Sequence, residues 1–370
     1  MTPLRGTLAP LSGVLVIELA WAAPGPYCGL LLSQLGADVV KVEPPGGDPL
    51  RAVPAFFAAL NANKRSLALD LKRPDDRTVF LKLARQADAL IEGFRPGAAE
   101  RLGVDYASLA ADNSGLVYLS ISGFGQDGPY RQRAGHDLNY LAIGGLLGLQ
   151  KQLVGRAEPP PVLLSDLASG LFAALGVAAA LAERARSGSG RYLDLAMADT
   201  AANWLGLELA RRAFGGPETA NLSHVPHYGV FTASDGKLVT LGVAYEQHFW
   251  ASLCDRLDLP DLRDLGAAAR RARAPEIRAR LQSGFAGRPA HEWEALLAGP
   301  EVPFAAVRSP AEILDDPQFC HRGLFQELPG PSGRPFPLPG LPFPLGEPRP
   351  AGPAPALDEH GAELRAELAG

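Results

Sequence analysis

A histidine and an aspartate, thirty residues apart, are the side chains of this sequence best suited to exchange a proton near neutral pH. His136 lies in the run from Gly135 to Tyr140, and Asp166 opens an otherwise apolar stretch. An imidazole and a carboxylate can each donate or accept a proton in that pH range. If they face each other across a pocket, one can remove a proton from carbon while the other returns one.

Both residues also have a simpler structural explanation. A single histidine is commonly a hydrogen-bonded core or surface residue. Ser165 or Asp166 could accept a backbone N–H bond where a helix begins. The two roles are compatible, because a helix start also supplies N–H donors for a developing oxyanion. Gly135 would let the backbone approach a ligand closely.

Length and composition limit the possible classes of protein. The chain has 370 residues, enough for one large domain or two moderate ones. Apolar residues make up 47%, charged residues 20%, and the net charge is −5. Because no long basic run occurs, nucleic acid is not expected as a partner. A phosphate-rich small ligand needs only a few well-placed arginines and stays possible.

Cysteine usage and hydropathy predict a cytoplasmic protein. Cys28, Cys254 and Cys320 are too few and too far apart for a disulfide framework, and none has metal-site spacing. The first ten residues contain no apolar segment typical of a signal peptide. The longest apolar run, Leu171 to Ala182, has twelve residues, whereas a membrane span needs about 20. We therefore expect no membrane association.

The first 200 residues alternate strand-like and helix-like segments. This alternation predicts a parallel sheet with helices on both faces, a Rossmann-like α/β domain. No G-x-G-x-x-G motif follows the first strand, so no dinucleotide is expected. The predicted strands are 14–19, 38–43, 67–71, 87–91, 116–122 and 191–196, and the predicted helices are 27–35, 75–86, 166–186 and 199–214.

A different pattern begins after residue 226. A predicted hairpin followed by helices indicates a smaller α+β domain. Between Leu328 and Ala356, 11 of 29 residues are proline, which excludes regular helix or a central strand. The predicted organisation is a large domain at 1–200 completed by 330–370, a small domain at 226–315, and linkers at 201–225 and 316–356.

Several segments resemble one family of enzymes. The stretches 11–19, 35–47 and 122–130 are similar to signatures of the family III CoA-transferase (CaiB/BaiF) superfamily. The stretch 134–142 resembles the α-methylacyl-CoA racemases within it. The resemblance implies a Rossmann-like domain with a smaller α+β domain, an interlocked homodimer and an acyl-CoA substrate. It implies no tightly bound cofactor, since coenzyme A is part of the substrate.

The resemblance also implies roles for particular residues. His136 and Asp166 would be the acid/base pair that inverts the α-carbon of a thioester. The backbone N–H of Asp137 would bind the enolate oxygen, and Glu246 would support the histidine. Glu246 lies one residue further from the preceding glycine than in the usual racemase pattern. By analogy with the interlocked dimer, it would come from the second subunit.

A further set of residues matches the CoA-binding segments of the family. The stretches 64–72 and 91–103 carry this similarity, and arginine suits phosphate through bidentate hydrogen bonds. Pro44 stands where many racemases have an arginine for CoA. The residues that would bind CoA are Leu69, Lys72, Arg95, Arg101, Gly135 and Tyr140.

The racemases have a close alternative in the same superfamily. Transferases use the aspartate that matches Asp166 as a nucleophile. His136 favours racemisation because transferases usually have an aromatic residue there, and Ala23 replaces a glutamine found in several of them. A glycine-rich flap of some transferases is also missing. The stretch 166–170, however, looks more like transferase sequence. Racemisation is the main expectation, CoA transfer the alternative, and a non-catalytic acyl-CoA-binding protein the third possibility.

Overall fold

The computed structural model describes residues 9–216, 222–331, 333–343, 345 and 351–369. The chain divides into two compact units, one formed by 1–206 and 318–370 and the other by 207–317. The stretch 201–225, expected as a linker, contains a helix at Gly206–Ala213.

A six-stranded, wholly parallel sheet forms the centre of the first unit. Its strand order is β3-β2-β1-β4-β5-β6, the order of the doubly wound Rossmann-like folds. The predicted fold class is therefore confirmed. The strands are β1 (Leu15–Leu19), β2 (Asp38–Glu43), β3 (Arg65–Ala68), β4 (Ala89–Glu92), β5 (Val117–Ser122) and β6 (Arg191–Ala196).

Helices cover both faces of this sheet. The central strands β1, β4 and β5 are largely apolar because both of their faces are buried, whereas the edge strand β6 is partly exposed. One core cluster lies between the sheet and the first and eighth helices, and a second lies on the opposite face. The helices of the first unit up to this point are α1 (Pro24–Gln34), α2 (Pro54–Asn61), α3 (Pro74–Gln86), α4 (Ala98–Leu102), α5 (Tyr106–Ala110), α6 (Asp137–Ile143), α7 (Leu146–Val154), α8 (Leu164–Ser187) and α9 (Met197–Asn203). The next helix, α10 (Gly206–Ala213), belongs to the second unit except for its first residue.

Helix α8 is the longest of the described helices, with 24 residues. By length and composition it could cross a membrane, and half of its most apolar window is buried inside the protein. It packs against α1, α6, α9 and β5, as the core helix of a globular domain does. The next predicted helix, 199–214, is two helices, α9 and α10, separated at Trp204–Leu205.

The second unit is a small α+β domain with its own core. Three antiparallel strands pair in the order β7-β8-β9. Phe231, Trp250 and Phe285 are among the buried side chains between this sheet and its helices. Its elements are β7 (Tyr228–Thr232), β8 (Leu238–Gly242), α11 (Gln247–Arg256), α12 (Ala267–Ala272), α13 (Ala274–Phe285), α14 (Ala290–Leu297) and β9 (Phe304–Ala306).

The chain then returns to the first unit through a short helix, α15 (Pro317–Arg322). The proline-rich tail forms a two-stranded antiparallel hairpin, β10 (Phe325–Pro329) with β11 (Pro335–Pro339). This arrangement tolerates proline because two strands leave two open edges. A last helix, α16 (Gly361–Glu367), lies beside β3, the edge strand of the large sheet.

Candidate active site

The switch point of the sheet gives the expected position of a ligand. Strand order reverses between β1 and β4, and ligands of doubly wound sheets bind beyond the carboxyl ends of the strands there. The loop after β4 carries Arg95, and the loop after β5 leads to His136. The topology therefore brings candidate residues that are distant in sequence to one edge of the sheet.

His136 occupies the N-cap position of α6. Its backbone is extended, with φ −130° and ψ 176°, and its N–H donates to Oδ1 of Asn139 at 3.0 Å. The side chain of His136 is exposed, so it is accessible to a substrate. The cap holds the histidine at the point where the loop becomes a helix.

Tyr140 anchors the loop that carries the histidine. Its hydroxyl donates to the carbonyl oxygen of Gly135 at 2.6 Å. Its ring lies so close to Gly123 and Gly135 that a Cβ on either would come within 2.7 Å of the ring. An edge contact with Phe124, at 5.4 Å between ring centroids, holds the ring from another side. The glycines of this loop are thus required by the tyrosine that packs on them.

Asp166 lies in the first turn of α8, and another helix caps that turn. The Oδ1 atom of Asp137 accepts from the backbone N–H of Ser165 at 2.7 Å and from that of Asp166 at 3.1 Å. The expectation that Ser165 or Asp166 caps this helix is therefore wrong. The N-cap residue is Leu163, whose side chain cannot accept a hydrogen bond, so the carboxylate comes from α6.

Two causes change the acidity of Asp166. Burial, and then the nearby Asp137, raise the pKa of its carboxyl from 3.8 to about 7. At neutral pH the group is therefore present in both protonation states, which suits proton transfer to and from carbon. His136 directly precedes the residue that holds the backbone of Asp166, so the two candidate acid/base residues belong to one local assembly.

Arg95 belongs to the same neighbourhood. Burial raises the pKa of Tyr140, as does the nearby Asp166, while the charge of Arg95 acts in the opposite direction. Arg95 itself is exposed. An exposed cation beside Tyr140 and Asp166 provides a positive group at the expected ligand edge.

The other predicted CoA-binding residues are distributed around that edge. Leu69 is buried just beyond β3, and its N–H donates to the carbonyl oxygen of Glu43 at 2.8 Å. Lys72 follows in the same loop and is exposed, with its backbone N–H bound to Asp70 at 3.1 Å. Arg101 is exposed in the last turn of α4. Lys72, Arg95 and Arg101 all have charged ends available to a phosphate.

Glu246 lies in the second unit, at the N-cap of α11. Its carboxylate accepts from the backbone N–H groups of Ala244 at 3.2 Å and Tyr245 at 3.0 Å. Backbone hydrogen bonding, beginning with its own N–H, lowers the pKa of this exposed carboxyl. It is therefore a pre-organised anion at the junction between β8 and α11.

A buried ion network beneath the first loop escaped the sequence analysis. Lys41 Nζ lies 2.9 Å from both Glu18 and Asp48, and Lys64 Nζ lies 2.7 Å from Glu18. All four side chains are fully buried. Glu18 in β1 and Lys41 in β2 are the feature of the sequence that could have indicated this network, because buried charged residues need partners of opposite charge.

Glu92 is a second buried acid that sequence reasoning missed. It ends β4, accepts from the N–H of Phe94 at 2.6 Å, and is 2% exposed. Burial raises its pKa to about 7. Together with Arg95, Glu92 lines a cavity of about 270 Å³. In the part of the chain that the structure describes, no group of three or more His, Cys, Asp or Glu residues could hold a metal ion.

The fold and the site define a doubly wound α/β protein with acid/base groups and exposed cations at its ligand edge. A family model, "CoA-transferase family III", matches residues 11–361. The chain belongs to CoA-transferase family III. As a member of this family it is an enzyme of CoA thioesters, either a CoA-transferase or a racemase.

Named relatives include both kinds of enzyme. Succinyl-CoA:mesaconate CoA-transferase of Haloarcula hispanica is 34% identical, covering 96% of each chain. Alpha-methylacyl-CoA racemase of Mus musculus is 36% identical, covering 89% of this chain and 86% of the mouse enzyme. The crystal structure of a CAIB/BAIF family protein from Brucella suis superposes with a TM-score of 0.86 at 31% identity, covering 98% of this chain and 100% of that one.

Proposed function

We propose that this enzyme inverts the α-carbon of an acyl-CoA thioester, as an α-methylacyl-CoA racemase does, with His136 and Asp166 as its acid and base. The observation that carries the proposal is the assembly at the start of α8. Asp137 holds the backbone of Asp166 and directly follows His136. A mouse relative named as a racemase supports the same reaction.

The chemistry divides into removal and return of one proton. One of the pair takes the α-proton while the thioester carbonyl becomes an enolate. The other member then delivers a proton to the opposite face of the carbon. The backbone N–H of Asp137 has no acceptor within its own helix, because it is in the first turn of α6. In the proposed reaction this N–H donates to the enolate oxygen.

The acidity of Asp166 supports acid/base catalysis. A racemase needs both protonation states of Asp166, because the group acts as the base in one direction of the reaction and as the acid in the other. With a pKa of about 7, both states are populated at neutral pH. A nucleophilic carboxylate must be ionised, and the same burial that raises the pKa opposes ionisation.

CoA transfer is the second candidate, and a specific observation favours it. The relative from Haloarcula, similar along nearly its whole length, is named as a CoA-transferase. In that reaction Asp166 would attack the thioester carbonyl, form a mixed anhydride and expel the CoA thiolate. The thiolate would then attack the aspartyl carbonyl of the anhydride, which releases the donor carboxylate and leaves an aspartyl-CoA thioester; an acceptor carboxylate would take the CoA by the reverse of these steps. His136 would have no chemical role in this sequence of steps.

Isotope exchange separates the two candidates. We expect the enzyme to incorporate deuterium at the α-carbon of a 2-methylacyl-CoA in heavy water, and His136→Ala to abolish it. His291→Ala, which removes an exposed histidine of the second unit, is the matched control. Absence of exchange across a panel of acyl chains, with Asp166 trapped by hydroxylamine or borohydride, would establish transfer instead.

The proposal also covers how the enzyme binds the CoA part of its substrate. Lys72, Arg95 and Arg101 bind the phosphates of CoA, Leu69, Gly135 and Tyr140 complete its site, and no separate cofactor is bound. Replacing the arginines should raise KM for acyl-CoA more than it lowers kcat.

We further propose a cytoplasmic homodimer in which Glu246 of one subunit supports His136 of the other. Large apolar side chains lie exposed on helices of the single chain, including Leu175 at 62% and Leu207 at 90%. Such surfaces mark interaction sites. Sedimentation that gives a monomer at all concentrations would contradict the dimer. Mixing inactive Glu246→Gln and His136→Ala chains tests sharing of the site, because only a shared site regains activity.

A further inference from the structure

The carboxylate of Asp137 performs a task separate from that of its backbone. It is 8% exposed, and its Oδ1 atom accepts two backbone N–H bonds at the start of α8. A helix usually receives this cap from its own N-cap side chain. Here the N-cap is Leu163, so a residue of α6 caps α8.

We propose that the Asp137 side chain is a positioning residue, which fixes Asp166 relative to His136 by binding the backbone that carries the aspartate. This inference rests on the proposed acid/base pair. Few bonds link His136 to Asp166. His136 is joined by a peptide bond to Asp137, and the side chain of Asp137 accepts one hydrogen bond of 3.1 Å from the N–H of Asp166.

Neighbouring contacts make this link rigid. Ser165, which also donates to Asp137, sends its hydroxyl to the carbonyl oxygen of Met197 at 3.3 Å. Helix α6 packs on both α8 and α9, so the first turn of α8 is held from two sides. Without the Asp137 bonds the hydroxyl of Ser165 would still bind Met197, but the backbone of Asp166 would lose its hydrogen bond to α6.

The charge of Asp137 acts on the same residue. Tyr140 of α6 and Tyr27 of α1 are neutral groups near the first turns of α8, and Asp199, in the first turn of α9, is exposed. Among the charged groups, Asp137 is the one that opposes ionisation of Asp166, and burial acts in the same sense. The positioning residue therefore also tunes the proton affinity of the residue it positions.

Two variants separate the position from the charge. Asp137→Asn keeps an oxygen that can accept both N–H bonds and removes the charge. Asp137→Ala removes both and retains the backbone N–H. We expect Asp137→Asn to lower the pKa of Asp166 from about 7 toward its ordinary value and to lower kcat less than Asp137→Ala does. Asp137→Ala should lower kcat about 10- to 100-fold with little change in KM, as expected when a reacting group is misplaced.

The titration is followed directly, by NMR of protein labelled with ¹³C at aspartate carboxyls, with Asp166→Asn used for assignment. Because this readout needs no turnover, it stands even if the enzyme shows no α-proton exchange and the proposed function fails. Asp105→Ala is the matched control, because Asp105 caps α5 through Ser108 N at 3.1 Å. It should leave the Asp166 titration unchanged.

An unchanged kcat in a folded Asp137→Ala protein would overturn the positioning role, and an unchanged Asp166 titration in Asp137→Asn would overturn the effect of the Asp137 charge. Should Asp137→Ala fail to fold, Asp137→Ser, whose hydroxyl oxygen is one bond closer to the backbone than a carboxylate oxygen, takes its place with the same expected loss of kcat.

Discussion

The hydroxyl of Tyr140 donates to the carbonyl oxygen of Gly135 at 2.6 Å, across the residue proposed as a catalytic acid/base. This hydrogen bond closes the loop before α6 onto the helix itself. His136 lies between the two partners in sequence, so its position depends on the bond. The tyrosine thus has a structural role in addition to any contact with CoA.

Tyr140→Phe removes the bond and retains the ring. We expect the free energy of unfolding to fall by about 1 kcal/mol, the typical contribution of one hydrogen bond. The exchange rate should fall as well, because His136 gains freedom. Urea denaturation and exchange kinetics measure the two effects. Tyr228→Phe, at an exposed tyrosine of β7, should change neither. A fully active and fully stable Tyr140→Phe enzyme would show that the bond is dispensable.

Gly135→Ala tests the packing of the ring on the same loop. The new Cβ would lie 2.7 Å from the Tyr140 ring, so the ring or the loop must shift. We expect a loss of about 1–3 kcal/mol, as for other overpacked sites, and reduced activity. Gly148→Ala is the control, since its Cβ has open space within α7. That substitution should stabilise the protein by about 0.5–1 kcal/mol. Equal effects of the two alanines would contradict the packing argument.

The fold could be predicted from the sequence because its pattern is local. Alternating apolar strands and helices specify a doubly wound sheet, and the strand order observed is the Rossmann-like one. The sequence indicates which residues form the site, but it does not indicate which hydrogen bonds join them. His136 and Asp166 could be chosen by type and by resemblance. The hydrogen bond from Asp166 N to Asp137 joins residues 29 apart, and no local periodicity encodes such a contact.

Tertiary contacts of this kind also explain where the predictions from the sequence were wrong or incomplete. Helix 199–214 has a continuous helical composition, yet it is interrupted at Trp204–Leu205. Because capping is usually local, the sequence predicts the cap of α8 among its own first residues, whereas the cap comes from α6. The buried ion network depends on side chains of two strands, β1 and β2, and of two loops that meet at one point, which requires the tertiary structure.

Lys64→Met tests that network. The ammonium group donates to Glu18 at 2.7 Å, to the carbonyl oxygen of Pro26 at 2.8 Å and to Asn61 at 2.9 Å. Removing it leaves buried acceptors without their donor. We expect a loss of about 3–5 kcal/mol, measured by chemical denaturation.

The control for this variant is an exposed pair. Arg85 and Asp112 lie 2.8 Å apart, with more than half of each side chain exposed. Arg85→Met should change stability by no more than about 1 kcal/mol, because solvent screens such pairs. A similar cost for both substitutions would mean that burial of the Lys64 charge has no special importance.

The acidity of Asp166 predicts how stability depends on pH. Its pKa is about 7 in the folded protein, against 3.8 for an unperturbed aspartate. Between these values the unfolded chain binds fewer protons at this group, so the carboxyl destabilises the fold progressively as pH rises. The contribution is fully favourable below about pH 4 and is lost above about pH 7.

Asp166→Asn removes this dependence. Relative to the wild type, the variant should gain stability from about pH 4 to pH 7 and keep a constant advantage above that range. One pKa unit corresponds to about 1.4 kcal/mol, so a gain of about 2–4 kcal/mol is expected for a partly buried group.

Glu92 titrates near the same pH and His227, whose pKa burial lowers to about 4, acts in the opposite direction. The difference between variant and wild type in urea denaturation, measured at each pH, isolates Asp166 from both. Asp127→Asn, at an exposed aspartate, controls for the change in net charge. A pH-independent difference would show that the folded state does not raise the pKa of Asp166, and would remove the electrostatic support for its acid/base role.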